Sequence, residues 1–103
     1  MAKSADAVKL RETALAQLRD QAALAEIAKS DSDEHLRWAA VHKLTNQTAL
    51  AEAAQSDPSR IVRLSAVQKL ANAAVLSDIA GSDKDPEVRR QARLRLEKLG
   101  KSR

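Results

Sequence analysis

Cysteine is absent from this chain of 103 residues, and Trp38 is its only aromatic residue. Without cysteine the chain can form neither disulfides nor thiolate metal sites, and its composition suits a reducing compartment. Two glycines and two prolines leave little material for long loops. The sequence has no apolar run of about 18 residues and no apolar N-terminal stretch, so we expect neither a membrane span nor a signal peptide. These absences predict a soluble, cytoplasmic protein.

Alanine is abundant, with 21 of the 103 residues. Small side chains let helix backbones approach each other closely, so a core of alanine and leucine indicates tightly packed helices. The alternation of apolar and polar residues that is typical of strands is missing. The sequence therefore predicts an all-α protein, and its length suits a single domain over 1–103.

The chain aligns with itself at a spacing of 26 residues. Three full units follow from this alignment: 21–46, 47–72 and 73–98. The first two agree at 14 of 26 positions and the last two at 8, whereas chance would give roughly one or two. We predict an internal repeat, with a half unit at 5–20 and a basic tail at 99–103.

Each unit contains two amphipathic segments with apolar residues at helical spacing. The first predicted helices are short and lie near 21–29, 47–55 and 73–80. Each follows an Asp or Asn that can cap it, namely Asp20, Asn46 and Asn72. The second predicted helices lie near 33–45, 58–71 and 86–99. Two of them have an Asp-Pro start signal, Asp57-Pro58 and Asp85-Pro86, with the proline at the first helical position.

One such helix pair cannot bury its apolar face alone, whereas stacked pairs can. The last unit fits the end of a stack, because charged residues replace the apolar ones of the earlier units. Arg93 stands in the register of Val41 and Val67, and Arg90 stands in the register of Trp38. We therefore predict a one-dimensional array of helical hairpins with a polar terminal face.

The second helices resemble HEAT-like repeats of the short bacterial type. The pattern D-P-x-V-R-x-x-A-x-x-x-L is present as Asp85, Pro86, Val88, Arg89, Ala92 and Leu96. The resemblance covers about 8–99 and implies a right-handed α-α superhelix, a solenoid of about three and a half 26-residue hairpins. It also implies that the second helices line a concave surface. Because this family mostly provides interaction surfaces, the resemblance implies a scaffold or protein-binding role.

Candidates for catalysis are few. His35 and His42 are the only histidines, and seven residues of helix place them roughly 10 Å apart along the axis, too far to share one metal ion. The acidic run SDSDEH lacks the glycine and ligand spacing of a calcium loop. No catalytic triad and no glycine-rich phosphate loop can be assembled. We predict that the protein is not an enzyme and has no metal site or cofactor.

Two charged residue types recur in phase along the repeat. The arginines are Arg11, Arg37, Arg63 and Arg89, and the aspartates are Asp31, Asp57 and Asp83. The arginines could form a basic stripe for an acidic partner. They could instead be partly buried and paired with a neighbouring aspartate. The second interpretation is favoured because Arg63 lies at the edge of the packed face of its helix.

One face of the second helices of units 21–46 and 47–72 lacks formal charge, although the chain is rich in Lys and Glu elsewhere. We call this face the partner patch and define it by six residues: His35, Trp38, His42, Ile61, Leu64 and Gln68. Our hypothesis is that it binds a protein partner, with Trp38 as the anchor. The sequence equally allows Trp38 and Leu64 to be covered between neighbouring units. Self-association through the patch would give a weak homodimer instead of a monomer.

Positive charge is concentrated at the C-terminal end, because residues 84–103 carry a net charge of +5 and residues 1–83 carry −1. Arg90, Arg93 and Arg95 are therefore candidates for contacts with phosphate groups. The alternative function is a nucleic-acid-binding accessory domain that uses this basic helix. The absence of base-stacking aromatic residues there favours a simpler interpretation, a solubilising end of the array.

Overall fold

The structure is a computed structural model that describes residues 4–101. This part of the chain folds into seven α-helices and contains no strand, which confirms the predicted all-α class. The helices are α1 (Ser4–Gln17), α2 (Gln21–Ser30), α3 (Glu34–Lys43), α4 (Gln47–Ser56), α5 (Arg60–Lys69), α6 (Ala73–Ser82) and α7 (Pro86–Lys101). The molecule is elongated, with principal extents of 50 × 26 × 15 Å.

Helices α2 to α7 pack in consecutive pairs, and each pair packs on the neighbouring pair. The pairs α2–α3, α4–α5 and α6–α7 are in extensive contact, and α3, α5 and α7 also pack side by side. Helix α1 packs on α3. The largest fully buried side chains lie where these helices meet: Leu24, Leu36, Val41, Leu44, Leu50, Val62, Val67, Leu70, Leu76 and Val88.

The predicted caps of the short helices are confirmed. Asp20 accepts hydrogen bonds from the backbone N–H groups of Ala22 and Ala23, at 2.9 and 3.2 Å. Asn46 and Asn72 cap α4 and α6 in the same way. Each cap satisfies N–H groups that have no partner within the helix, so these residues fix where α2, α4 and α6 begin.

The predicted start of α5 is wrong. The helix begins at Arg60, not at Pro58, and Ser59 is its N-cap. Asp57 instead ends α4, where its carboxylate accepts the N–H of Ser59 at 2.8 Å and pairs with Arg37. With its carboxylate used in this turn, Asp57 cannot cap α5. The parallel prediction for α7 is confirmed, because α7 begins at Pro86.

Helices α3 and α5 also end earlier than predicted, whereas α7 ends at Lys101, two residues later than predicted. Helix α3 ends at Lys43 and not near 45, because Leu44 takes an extended conformation. The side-chain carbonyl of Gln21 accepts hydrogen bonds from the N–H groups of Thr45 and Asn46, at 2.8 and 3.1 Å. Gln47 binds the N–H of Ala71 in the same manner. These glutamines connect the ends of α3 and α5 to the starts of α2 and α4.

Candidate functional site

Trp38 lies on α3 between two histidine rings of the same helix. The ring centroids of His35 and Trp38 are 5.5 Å apart and the rings are nearly parallel, with an interplanar angle of 23°. His42 approaches the indole edge-on, with centroids 4.2 Å apart. The spacings of three and four residues put all three rings on one side of the helix. The two imidazoles therefore restrict the orientation of the indole.

The partner patch continues from α3 onto α5. A groove lined by Glu34, His35, Trp38 and Ile61 crosses between the two helices. A second groove continues it along α5 and α7, lined by Ile61, Leu64, Ser65, Gln68, Glu87 and Gln91. Ile61 belongs to both grooves and remains 51% exposed. Five of the six predicted patch residues thus line these two grooves, and the sixth, His42, contacts Trp38.

The residues of the partner patch differ in how far they are buried. Trp38 and Leu64 are half-buried and pack against the core on one side. His35, His42 and Gln68 are exposed. Trp38 is neither free in solvent nor fully buried. That the patch binds a partner stays a prediction.

Polar groups surround the patch. His35 Nε2 lies 3.4 Å from a carboxylate oxygen of Glu12 on α1, an ion pair when the imidazole is protonated. The Ser59 hydroxyl donates a hydrogen bond to Glu34, and the amide of Gln68 donates to Gln91 at 3.3 Å. The six residues of the patch therefore form an uncharged strip with polar groups around it.

Two of the in-phase arginines, Arg37 and Arg63, form shielded pairs with aspartates, which confirms the structural interpretation for these two positions. Arg37 donates from Nε and Nη2 to the carboxylate of Asp57, at 2.9 and 3.3 Å. Arg63 holds Asp83 with the same two distances. The hydrogen bond to Asp57 is the main cause that raises the pKa of Arg37. These bidentate pairs are shielded from solvent, so they cannot serve as a basic stripe.

The three candidate phosphate-binding arginines of α7 have different surroundings. Arg90 is paired with Glu87 at 3.0 Å, one turn earlier in the helix. Arg95 donates from Nε to the backbone carbonyl of Leu70 at 2.8 Å, so it is used in packing α7 on α5. Arg93 is exposed. The structure thus leaves less free positive charge on α7 than the sequence suggested.

Sequence analysis missed the role of the lysines in the register of Arg95. Lys43 donates from Nζ to the carbonyl of Ala16 at 3.0 Å, and Lys69 donates to the carbonyl of His42 at 2.8 Å. Each cation reaches the last turn of the preceding second helix, where unpaired carbonyls attract positive charge. The recurrence of Lys, Lys and Arg at a spacing of 26 was the available signal.

Within residues 4–101, no cluster of three or more His, Asp or Glu side chains could hold a metal ion. None of the helices in this part of the chain combines the length and the apolar character needed to cross a bilayer. Comparisons with protein-family models, with curated proteins and with solved structures find no match to this chain.

Proposed function

We propose that the chain is a HEAT-like solenoid of 26-residue helical hairpins that acts as a non-catalytic protein-interaction module. The starts of the helices support the repeat, because both series advance by 26 residues: Gln21, Gln47 and Ala73 for the short helices, and Glu34, Arg60 and Pro86 for the second helices. The packing of each pair on its neighbours also supports a stacked array. The superhelical hand and the concave face are part of the proposal.

The observation that carries the proposed function is the uncharged patch with Trp38 at its centre. Trp38 is held between His35 and His42 and lies beside the exposed Ile61. A half-buried, oriented indole loses little conformational freedom on binding, and tryptophan is enriched among residues that dominate interface energies. The partner therefore presents an apolar side chain to the groove between α3 and α5.

A binding role explains the positions of His35 and His42 without a catalytic reaction. Both imidazoles contact Trp38, and His35 also faces Glu12. A catalytic base must reach a proton on a bound substrate and be oriented by a third group. The ring contacts of His35 and His42 support a packing role at the patch, so the proposal assigns no reaction to them.

Nucleic-acid binding by α7 is the weaker candidate. It would use Arg90 and Arg93, which are both exposed. However, Arg90 is already paired with Glu87, and Arg95 is engaged with a backbone carbonyl. Phosphate binding would also give a steep loss of affinity with salt, which binding through an uncharged patch would not.

The test compares two exposed aliphatic residues. The chain is immobilised, retained proteins are identified, and the affinity of each purified partner is then measured for the parent, Ile61→Ser and Leu10→Ser. Leu10 lies on α1 and is 72% exposed, so Leu10→Ser is a matched control outside the patch. We expect Ile61→Ser to weaken binding about tenfold or more, and Leu10→Ser to leave it unchanged.

Two results would contradict the proposal. Equal effects of Ile61→Ser and Leu10→Ser would mean that the patch is not the binding surface. A retained nucleic acid whose affinity falls steeply with salt, and is lost in the double variant Arg90→Gln, Arg93→Gln, would favour the alternative function.

A further inference from the structure

Three arginines of the second helices are anchored in one common way. Each donates from Nη1 to the backbone carbonyl of the aspartate six residues earlier. The distances are 3.0 Å for Arg37 to Asp31, 2.9 Å for Arg63 to Asp57 and 2.6 Å for Arg89 to Asp83. This bond restricts the orientation of each guanidinium relative to its own helix and leaves Nε and Nη2 available for a second partner.

The second edge is occupied in two of the three cases. Nε and Nη2 of Arg37 hold the Asp57 carboxylate, and those of Arg63 hold Asp83, in the turn that precedes the next second helix. For Arg89 no carboxylate among residues 4–101 fills this edge, and the side chain is only half-buried, whereas Arg63 is 4% exposed. The Nε and Nη2 groups of Arg89 are therefore available to bind a carboxylate, and no carboxylate of residues 4–101 occupies them.

The face of α7 near Arg89 corresponds to a face that is buried on α3 and α5. Val41 on α3 and Val67 on α5 are fully buried. Arg93 stands in their register on α7 and is exposed, and Arg90 is exposed one turn earlier. The face of α7 that corresponds to a packed face on α3 and α5 is thus solvent-accessible and positively charged, which suits an acidic partner.

We propose that this face of α7 is a second docking surface, which binds an acidic turn of a partner protein through an aspartate carboxylate gripped by Arg89. The internal pairs define the ligand. Asp57 and Asp83 each use the same carboxylate to accept the N–H two residues later, from Ser59 at 2.8 Å and from Asp85 at 2.9 Å. The favoured ligand is therefore an aspartate that closes its own turn.

A carboxylate is preferred to a phosphate because both filled forks in the molecule hold a carboxylate. Arg37 and Arg63 hold the carboxylates of Asp57 and Asp83 with the same geometry. Arg95, a candidate for a wider phosphate site on α7, is bound to the Leu70 carbonyl. This surface lies on α7 and is separate from the partner patch on α3 and α5. If Arg89 does not bind an acidic turn, the proposed function of the partner patch is unaffected. If the partner patch does not bind a protein, the proposal for Arg89 is likewise unaffected.

The test uses the 103-residue chain and a capped peptide with the sequence AGSDKDPEV, that of residues 80–88. The arginine Nε–H signals are followed by NMR during the titration. We expect the Arg89 signal to shift and saturate, while the signals of Arg37 and Arg63 stay in place because their forks are filled. A peptide with asparagine in place of the first aspartate should bind about tenfold more weakly, since it loses the charge-assisted bidentate pair.

Arg89→Lys provides the matching change on the protein. Lysine keeps the charge but lacks the planar fork, so the affinity for the peptide should fall about tenfold. Arg93→Gln removes a charge without touching the fork and should have a smaller effect. If Arg89→Lys does not fold, the titration of the parent chain decides alone.

Four outcomes would overturn the proposal. The Arg89 signal could fail to saturate, the two peptides could bind equally, or Arg37 and Arg63 could shift together with Arg89. Inorganic phosphate that saturates Arg89, Arg90 and Arg93 at lower concentration than the peptide would also overturn it, and would assign the face to phosphate groups.

Discussion

Arg63 connects three segments of the chain through one side chain. Its Nη1 donates to the carbonyl of Asp57 before α5, and its other edge holds Asp83 after α6. Both partners of the ion pair are almost completely buried, with 5% and 6% of the side-chain surfaces exposed. A buried charge is costly unless it is paired, so each partner depends on the other.

Removing Arg63 should therefore be much more damaging than removing its counterpart at the N-terminal end. Arg63→Leu leaves Asp83 as a buried, unpaired carboxylate and should lower the free energy of unfolding by about 3–5 kcal/mol. Arg11 pairs with Asp31 but is 42% exposed, so Arg11→Leu should cost less than about 1 kcal/mol. Urea unfolding of both variants measures the difference, and equal losses would contradict the account.

Asp85 carries a prediction about pH. Arg60 donates from Nε to its carboxylate at 2.7 Å, and this hydrogen bond is the main cause that lowers the pKa of Asp85. Arg60→Gln should raise that pKa toward the ordinary value of an aspartate. NMR titration of the carboxyl carbon measures it. The pKa of Glu87 should rise less in this variant, because the hydrogen bond from Gln91 is the main cause that lowers it and the charge of Arg60 contributes least.

The sign of the pH effect follows from the lowered pKa. A carboxylate with a depressed pKa in the folded state adds stability above its unfolded pKa, near pH 4. That stability is lost as the pH falls through the folded pKa. The Arg60→Gln variant should be less stable than the parent chain at neutral pH, and the difference should shrink on acidification. A difference that does not change with pH would refute this role of Arg60.

At the scale of single elements, the repeat predicts helix starts better than local signals do. Asp57-Pro58 is a good start signal by itself, yet α5 begins two residues later at Arg60. The position in register with Ser59 in the other units is Asp33 or Asp85, and both cap their helices. The error arose because the Asp57 side chain has a long-range partner, Arg37, which no local pattern reveals.

The N-cap of α5 can be tested directly. The Ser59 hydroxyl accepts from the N–H groups of Ile61 and Val62 and donates to Glu34. Ser59→Ala should lower the free energy of unfolding by about 1 kcal/mol. Ser32→Ala changes an exposed serine in another interhelical turn and should stay within about 0.5 kcal/mol of the parent chain. Thermal or urea unfolding distinguishes the two, and equal effects would argue against the cap.

At the scale of the whole molecule, the helical class and the helix pairs could be predicted from the sequence, because periodicity and recurrence report burial. How far the side chains of the partner patch are buried could not be predicted from the sequence. Whether Trp38 is covered depends on how closely α5 approaches α3, and a helical wheel does not contain that distance. Likewise, the engagement of Arg95 with the Leu70 carbonyl depends on the packing of α7 on α5.

The packing of helix pairs on their neighbours predicts uneven local stability. Helix α1 packs on α3, and Leu15 is a buried residue at its C-terminal end. The α4–α5 pair is in contact with helices on both sides. Backbone amides of α4 and α5 should therefore exchange most slowly with solvent, and those of α1 fastest. Hydrogen exchange measured residue by residue checks this, and uniform protection across the helices would contradict it.

The central claim is that Trp38 belongs to an open surface of the free protein. Because it is the only aromatic residue, its fluorescence reports this site alone. The most direct measurement is the emission maximum and the quenching by acrylamide over a wide dilution series. If Trp38 lies on an open surface, acrylamide should quench its fluorescence partially. Both the degree of quenching and the emission maximum should then stay unchanged on dilution. Emission that is blue-shifted and unquenched at every concentration would show a covered indole, and emission that turns red on dilution would show a patch occupied by a second copy.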